Sequence, residues 1–412
     1  MGNDNTSLKY LVEITKGKKP KYEIDEYCEG LIPYLSMDYL RGKNLSPIYV
    51  DETKDSIVRV NNNDLLILWD GSKAGEIVYG KEGALSSTMA KIEIISEKVT
   101  KSFLTYFLIH SQAEIQGNTV GMGIPHVNGE DLKNLPIYLP SKQTQIRIAE
   151  FLDKKTAEID TIIEKKEALL FGLEEKKKAI INEAVTKGLN PNVSMKDSGI
   201  EWIGEIPAHW EVKPLGYLGT CQNGVSKGGD YFGTGFPFVN YGDIYKNFEL
   251  PHEVEGLAQS TEEDRIAYSV QYGDVFFTRT SETIEEIGIA STCLKTIENA
   301  VFSGFTIRFR PSSDRELLPL FSKYLFRSNY IRTSLVKEMN LVTRASLSQN
   351  LLKSINIIIP PMNEQRNIAE FLERKFSENM TISNSILTQI EKLKEYRQAI
   401  ISEAVIGKLE IA

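Results

Sequence analysis

The sequence predicts an α+β protein: two α/β domains joined by two long antiparallel coiled-coil helices, the halves forming a pseudo-twofold duplication. Three observations carry this. Residues 131–189 match residues 351–409 without a gap, at a constant offset of 220 residues and with more than a third of the positions identical. Each copy opens on proline, at Pro140 and at Pro360-Pro361, and then continues for over forty residues without another. Upstream of each copy lies a more diverged segment of short apolar-aromatic runs between turn residues, which read as strands.

The expected order is a first domain over residues 1–140, a central helix over 141–189, a second domain over 190–360 with a linker at 190–212, and a C-terminal helix over 361–412. Within the domains, LIPYLSMDYL (31–40) faces GFPFVNYGDI (235–244), both preceded by Gly- and Lys-containing stretches. NNNDLLILW (61–69) faces QYGDVFFTR (271–279), each a turn with aspartate followed by a strand. Asp230 to Gly235 reads as a turn between strands. Residues 321–337, FSKYLFRSNYIRTSLVK, read as one helix.

The repeated element reads as a single long helix, because proline stops the preceding strand and polar residues open the next segment. Steps of four and three give a seam of Ile148, Leu152, Lys155, Ile159, Ile162, Lys166, Leu169, Leu173, Lys176 and Ile180. The second copy gives Ile368, Leu372, Lys375, Asn379, Ile382, Ile386, Gln389, Leu393, Tyr396 and Ile400. Such heptads favour a coiled coil. About 45 residues at 1.5 Å each make a rod of roughly 70 Å, too long for one small domain to cover. The two rods are therefore expected to bury their seams against each other, antiparallel, with the domains at opposite ends. The seam lysines need no ligand, since their stems can lie on apolar surface. The runs 174–178 and 390–397 read as solvated faces with i,i+4 pairs.

Composition bounds the function. Of 412 residues, 41% are hydrophobic and 25% charged, as in ordinary globular proteins. There is no run of about 18 apolar residues, so no membrane partner is expected. The N-terminus lacks a signal-peptide pattern, and Cys28, Cys221 and Cys293 form no CxxC pair; both fit a cytoplasmic protein with reduced thiols. The net charge of −8 opposes nucleic-acid binding if taken alone. Residues 1–130 carry 14 basic against 18 acidic side chains, and residues 190–350 carry 15 against 20. A DNA-binding protein of this composition must use local basic patches.

The repeated segment resembles the long helical regions of type I restriction–modification specificity subunits, marked by Pro-Pro-x-x-Glu-Gln and then Ile-Ala-x-Phe-Leu. The second copy carries Pro360, Pro361, Glu364, Gln365, Ile368, Ala369, Phe371 and Leu372, and ends in ISEAVIGKL (401–409). The linker, with Trp202, Gly204, Ile206, Pro207 and Trp210, is similar to the family's entry into a recognition domain. Both tryptophans are expected to anchor the linker on an apolar surface. The first copy departs, with Ser141 and Thr144 in place of the second proline and the glutamate, and without a tryptophan lead-in. The resemblance implies two target-recognition domains reading a bipartite site in double-stranded DNA. It implies two methylation subunits and restriction subunits as partners, with S-adenosylmethionine, ATP and Mg on those partners and no cofactor on this chain.

No catalytic motif contradicts this reading. The chain has no Asn/Asp-Pro-Pro-Tyr/Phe for a flipped adenine and no GxxxxGK[ST] phosphate loop, and Asp230 to Gly235 has the wrong glycine spacing for a cofactor loop. His110, His126, His209 and His252 lack metal-ligand spacing. The chain is expected to be a non-catalytic subunit. The alternatives are a coiled-coil scaffold without a DNA role and a stand-alone DNA methyltransferase.

Phosphate contacts need Lys, Arg and backbone amides, and base edges need Arg, Lys, Asn, Gln, Ser or Thr on exposed loops. In the first domain this selects Lys18, Lys19 and Lys21 of the run 16–21, Ser72 and Lys73 of the loop 70–73, and Asn118 and Thr119 of the Gly-rich loop 118–123. In the second it selects Lys227, then Arg279, Thr280 and Ser281, then Asn340, Thr343 and Arg344. Arg327, with Lys323 and Lys337, is expected to add a phosphate-facing stripe on the helix 321–337.

Overall fold

The computed structural model describes residues 4–42, 46–53, 56–121, 123–281, 283, 286–338 and 345–410. Two compact units form, one from Met1–Lys166 with Leu387–Ala412 and one from residues 167–386. Each contains strands, short helices and a part of both long helices, Lys142–Lys187 and Met362–Val405.

In the first unit, Asp4–Ser7 pairs antiparallel with Pro136–Leu139. A four-stranded antiparallel sheet follows in the order Val12–Lys16, Met89–Ile94, Leu65–Leu68, Ile77–Tyr79. A second sheet orders Tyr49–Val50, Ile32–Leu35, Gly83–Leu85 and Arg59–Val60, with a parallel pair in its centre. The second unit repeats this plan. Glu211–Pro214 pairs with Asn356–Ile359, and the four-stranded order is Gly219–Asn223, Thr306–Pro311, Val275–Thr278, Ala290–Thr292. Phe232–Val239 runs parallel to Val301–Phe302 and antiparallel to Leu257–Ala258.

The matched strand starts are built by the same local chemistry. Asp64 Oδ2 accepts from Asn61 N at 2.8 Å, and Asp274 Oδ2 accepts from Gln271 N at 2.7 Å. Each closes a turn before an apolar strand whose residues are all buried, as expected from Leu65–Leu68 and Val275–Thr278. Residues 232–235 differ from expectation: they belong to the strand Phe232–Val239, which takes up the two glycines at Gly233 and Gly235 with positive φ and an irregular register.

Each long helix begins on a buried glutamine that ties three backbone groups. Gln145 accepts from Thr100 N at 2.8 Å and donates to Lys98 O at 2.8 Å and Pro140 O at 3.0 Å. Gln365 accepts from Leu318 N at 2.8 Å and donates to Glu316 O and Pro360 O, both at 2.9 Å. A tyrosine then reaches each helix: Tyr106 donates to Asp153 Oδ1 at 2.7 Å and Tyr324 to Glu373 Oε1 at 2.6 Å.

The glutamate of the second copy clamps the linker. Glu364 accepts from Trp210 Nε1, and Trp210 lies in the core beside Ile206 and Ile359. Trp202 departs from the anchoring expectation: it stays 37% exposed, with Lys337 Nζ 4.3 Å from its ring centre. In the first copy Thr144 bonds Ser141 Oγ instead, so the missing glutamate is replaced by a local cap.

The ends of the long helices complete the cores. In the first unit Ile400, Ile401, Ala404 and Val405 join Leu8, Phe103, Leu104 and Leu152, and His110 Nδ1 lies 2.9 Å from Ser402 Oγ. In the second unit Ile181, Ala184 and Val185 join Phe321, Tyr330 and Leu372, and Tyr330 N donates to Asn182 Oδ1 at 3.0 Å.

The seam holds at Lys166, Leu173 and Ile180 and at Ile386, Leu393 and Ile400, but its alternate positions are displaced by one residue, in the same way in both copies. Ile162, Leu169 and Lys176 face solvent, while Ile163, Leu170 and Lys177 turn inward. Ile382, Gln389 and Tyr396 likewise face out, with Ser383, Ile390 and Arg397 turned in. Strict steps of 3.5 lag behind a helix of 3.6 residues per turn by about 20° per heptad. From the third heptad the lag is about half the spacing between neighbouring residues, and the following residue turns inward instead. Lys177 is correspondingly not a solvated run member. Its ammonium sits 4.5 Å from the Phe376 ring centre and 5.2 Å from that of Phe248.

Candidate nucleic-acid interface

In the first unit, the three segments selected from the sequence come together at one end of the strands of the four-stranded sheet. Lys16 ends its strand and pairs with Asp70 Oδ2 at 2.9 Å, which ties the run 16–21 to the loop 70–73. Gly71 N donates to Pro125 O at 2.9 Å, and both Asp70 and Val120 bridge His126, which ties that loop to 118–126. Lys18, Lys19, Lys21, Ser72, Lys73 and Asn118 are exposed, whereas Thr119 is half-buried and its hydroxyl donates to Gln116 O at 2.9 Å. Lys18 Nζ donates to Ser56 Oγ at 2.9 Å.

Gly17 explains how the first segment crosses the others. A Cβ there would stand 2.1 Å from Ser86 O, so only glycine lets the chain pass. Gly224 does the same in the second unit, where a Cβ would stand 2.2 Å from Phe302 O. Lys227 follows it, exposed, with its ammonium 5.8 Å from the Tyr231 ring centre.

Arg279, Thr280 and Ser281 lie beside this crossing, all half-buried. Arg279 N donates to Phe305 O at 2.9 Å, and its guanidinium to Gly304 O at 3.3 Å. Thr280-Ser281 pairs antiparallel with Ala345-Ser346. Asn340, Thr343 and Arg344 lie outside the described residues, immediately before that strand in the chain.

The helix 321–337 is two helices, Pro319–Leu325 and Asn329–Glu338, and its three cations are not aligned as a stripe. Ser328 Oγ bonds back to Leu325 O at 2.6 Å, and Asn182 takes the amide of Tyr330, which together stop one helix and start the next. Arg327 points into the protein. Its guanidinium donates to the carbonyls of Ala290, Ile244, Tyr245 and Asn247, and its carbon lies 4.7 Å from the Phe248 ring centre. Burial lowers its pKa to about 10. These donors are already committed, so Arg327 holds the fold rather than offering a free fork to phosphate. Lys323 is held by Glu249 at 3.2 Å and Glu373 at 2.6 Å, and Lys337 stacks on Trp202.

Sequence reasoning passed over a turn that underlies the site in both units. Ser86 Oγ accepts from Thr88 N at 3.3 Å, and Thr88 O accepts from Trp69 N at 2.8 Å. Ser303 Oγ accepts from Phe305 N at 3.2 Å, and Phe305 O accepts from Arg279 N. The two tripeptides, Ser-Ser-Thr and Ser-Gly-Phe, share one serine, too little to align without the sheets.

A family model described as the type I restriction modification DNA specificity domain matches residues 2–170 and 207–392. The type I restriction enzyme MjaVIII specificity subunit of Methanocaldococcus jannaschii is 32% identical over 406 residues, covering 97% of this chain and 91% of that protein. The EcoBI specificity subunit of Escherichia coli is 24% identical, covering 98% of this chain and 85% of that protein. A solved chain, from work on the structural basis of complex assembly and conformational transition of the type I R-M system, superposes with a TM-score of 0.71. It covers 99% of this chain and 98% of that one at 16% identity, which is a likeness of fold.

Proposed function

Because the chain belongs to the type I restriction modification DNA specificity family, we propose that it reads a bipartite double-stranded DNA site, one half with each domain. As a specificity subunit it recognises DNA sequence and is not itself the catalyst. The observation that carries the bipartite reading is the repeated meeting of three polar segments in each unit. In the first, a glycine crossing, the residues after an apolar strand and a later loop converge. In the second, a glycine crossing and the residues after an apolar strand meet the short strand Ala345–Ser346.

The first recognition domain spans residues 1–140 and the second 190–360, with the helices of 141–189 and 361–412 pairing as an antiparallel coiled coil in a pseudo-twofold arrangement. Lys18, Lys19, Lys21, Ser72, Lys73, Asn118 and Thr119 contact the first half-site. Lys227, Arg279, Thr280, Ser281, Asn340, Thr343 and Arg344 contact the second. Two methylation subunits dock on this chain and restriction subunits join them. S-adenosylmethionine, ATP and Mg are held by those partners, and the assembly acts in the cytoplasm. Among the described residues no helix is long and apolar enough to cross a membrane.

The test is exchange of residues 190–350 for the corresponding segment of another family member, followed by mapping of the motif methylated with the methylation subunit. One half-site should change and the other should persist. A change in both halves together would overturn the reading. Salt-dependent shift of duplex DNA separates it from a scaffold without a DNA role, because counterion release makes affinity fall steeply with salt.

A further inference from the structure

We infer that Phe305 and Thr88, at matched positions of the turns just described, are specificity-determining side chains, each discriminating at one base pair of its own half-site. This rests on the reading of the chain as a DNA-recognising subunit and names the element within each domain that does the reading.

Both turns are built as rigid platforms. Around Phe305, Gly304 N donates to Val225 O at 2.8 Å, Thr306 N to Ser303 O at 3.0 Å, and Gly224 N to Thr306 O at 3.4 Å. Around Thr88, Met89 N donates to Ser86 O at 3.0 Å, Asp70 N to Thr88 O at 3.1 Å, and Gly17 N to Met89 O at 2.9 Å. One bond in each turn closes it on itself, and the other two reach the segments that meet at the site. The side chains are exposed: Phe305 by 65%, and Thr88 with its hydroxyl 3.0 Å from Ser86 Oγ.

The chemistry of the two positions separates them from phosphate anchors. Phenylalanine offers a phosphate nothing, and its ring offers a base pair an apolar surface such as the thymine methyl group accepts in the major groove. Threonine offers both a methyl and a hydroxyl to a base edge. Arg279 adjoins Phe305, its guanidinium on Gly304 O, and Lys16 pairs with Asp70, whose amide bonds Thr88 O, so a cation stands near each uncharged reader. One backbone frame carrying different side chains at its tip is how two half-sites of different sequence would be read by one fold.

The test uses the complete complex with its methylation subunits on a randomised duplex library, sequencing what becomes methylated. Phe305→Thr transplants the side chain that the matched turn already accommodates, so the backbone has a precedent for it. It should leave one half-site intact and change preference roughly tenfold at one base pair of the other. Thr88→Val, which keeps the shape and removes the hydroxyl, should act on one base pair of the opposite half-site. A Phe305→Thr complex that keeps the parental motif, or loses activity evenly on all sequences, overturns the inference. If the parental complex itself selects no motif, the broader reading fails; if it selects one that Phe305→Thr leaves unchanged, only this inference does.

Discussion

Glu364 accepts the indole N–H of Trp210 at 3.0 Å and stands 2.6 Å from His209 Nε2, so one carboxylate ties the linker to the start of a long helix. Trp210 is fully buried. Glu364→Ala would leave its N–H unpaired, a loss of about 1–3 kcal/mol. Thr144→Ala, at the matched place in the first copy, should change stability by less than about 0.5 kcal/mol. Denaturant unfolding of both variants checks this, and equal losses would mean that Glu364 does not hold the linker.

Gln145 and Gln365 each satisfy one amide and two carbonyls from a buried position. Leucine at either keeps the volume and strands those groups. Each substitution should destabilise by at least about 2 kcal/mol, since the penalty for unpaired buried polar groups accumulates. Hydrogen exchange should show the effect first at the amide of Thr100 in one variant and of Leu318 in the other. Loss of protection elsewhere, with those two amides unchanged, would contradict the assignment.

Arg327 and Lys73 should separate folding from binding. Arg327→Ala abandons four carbonyls and should lower the thermal midpoint, while the fraction that stays folded binds DNA as before. Lys73→Ala should leave stability nearly unchanged and weaken binding across sequences, reducing the slope of log affinity against log salt by about 1. The reverse pattern in either variant would exchange their roles.

Thiol reactivity should divide the cysteines. Burial raises the Cys221 thiol to about 11 and the Cys293 thiol to about 12, while Cys28 is exposed. At pH 8 both buried thiols lie below their pKa, so roughly one in a thousand or fewer is thiolate, the form that reacts. A native chain should take up one equivalent of alkylating reagent quickly and three after unfolding. Rapid modification at Cys293 without unfolding would contradict its burial.

Much of the architecture was legible because the repeat is exact in length and its turn chemistry is local. Asp64 and Asp274 mark their strands through a contact only three residues long, and Gln365 sits in a motif that survives in both copies. The seam register was not legible from heptads, since the drift at Ile162 and Ile382 accumulates from the helix geometry and not from any one residue. Arg327 misled for a different reason. A cation between apolar neighbours looks the same in sequence whether its partners are phosphates or carbonyls, and the four carbonyls come from segments over 35 residues away. The turn at Ser86 and Ser303 was missed because only the matched sheets align it.

The first unit is discontinuous: its core holds Leu8 and Phe103 together with Ile400 and Val405, and the second unit is the continuous stretch 167–386 between them. Chains leave the ribosome from the N-terminus onward, and domains usually fold in that order. Here the order should invert. Residues 1–166 emerge first but lack the last turns of helix that cover Phe103 and Leu104, and they must wait while the whole second unit is made. That unit needs nothing made after it, so it finishes earlier. The nascent first domain therefore spends the interval with an uncovered apolar face, and the part of the protein synthesised first is completed last.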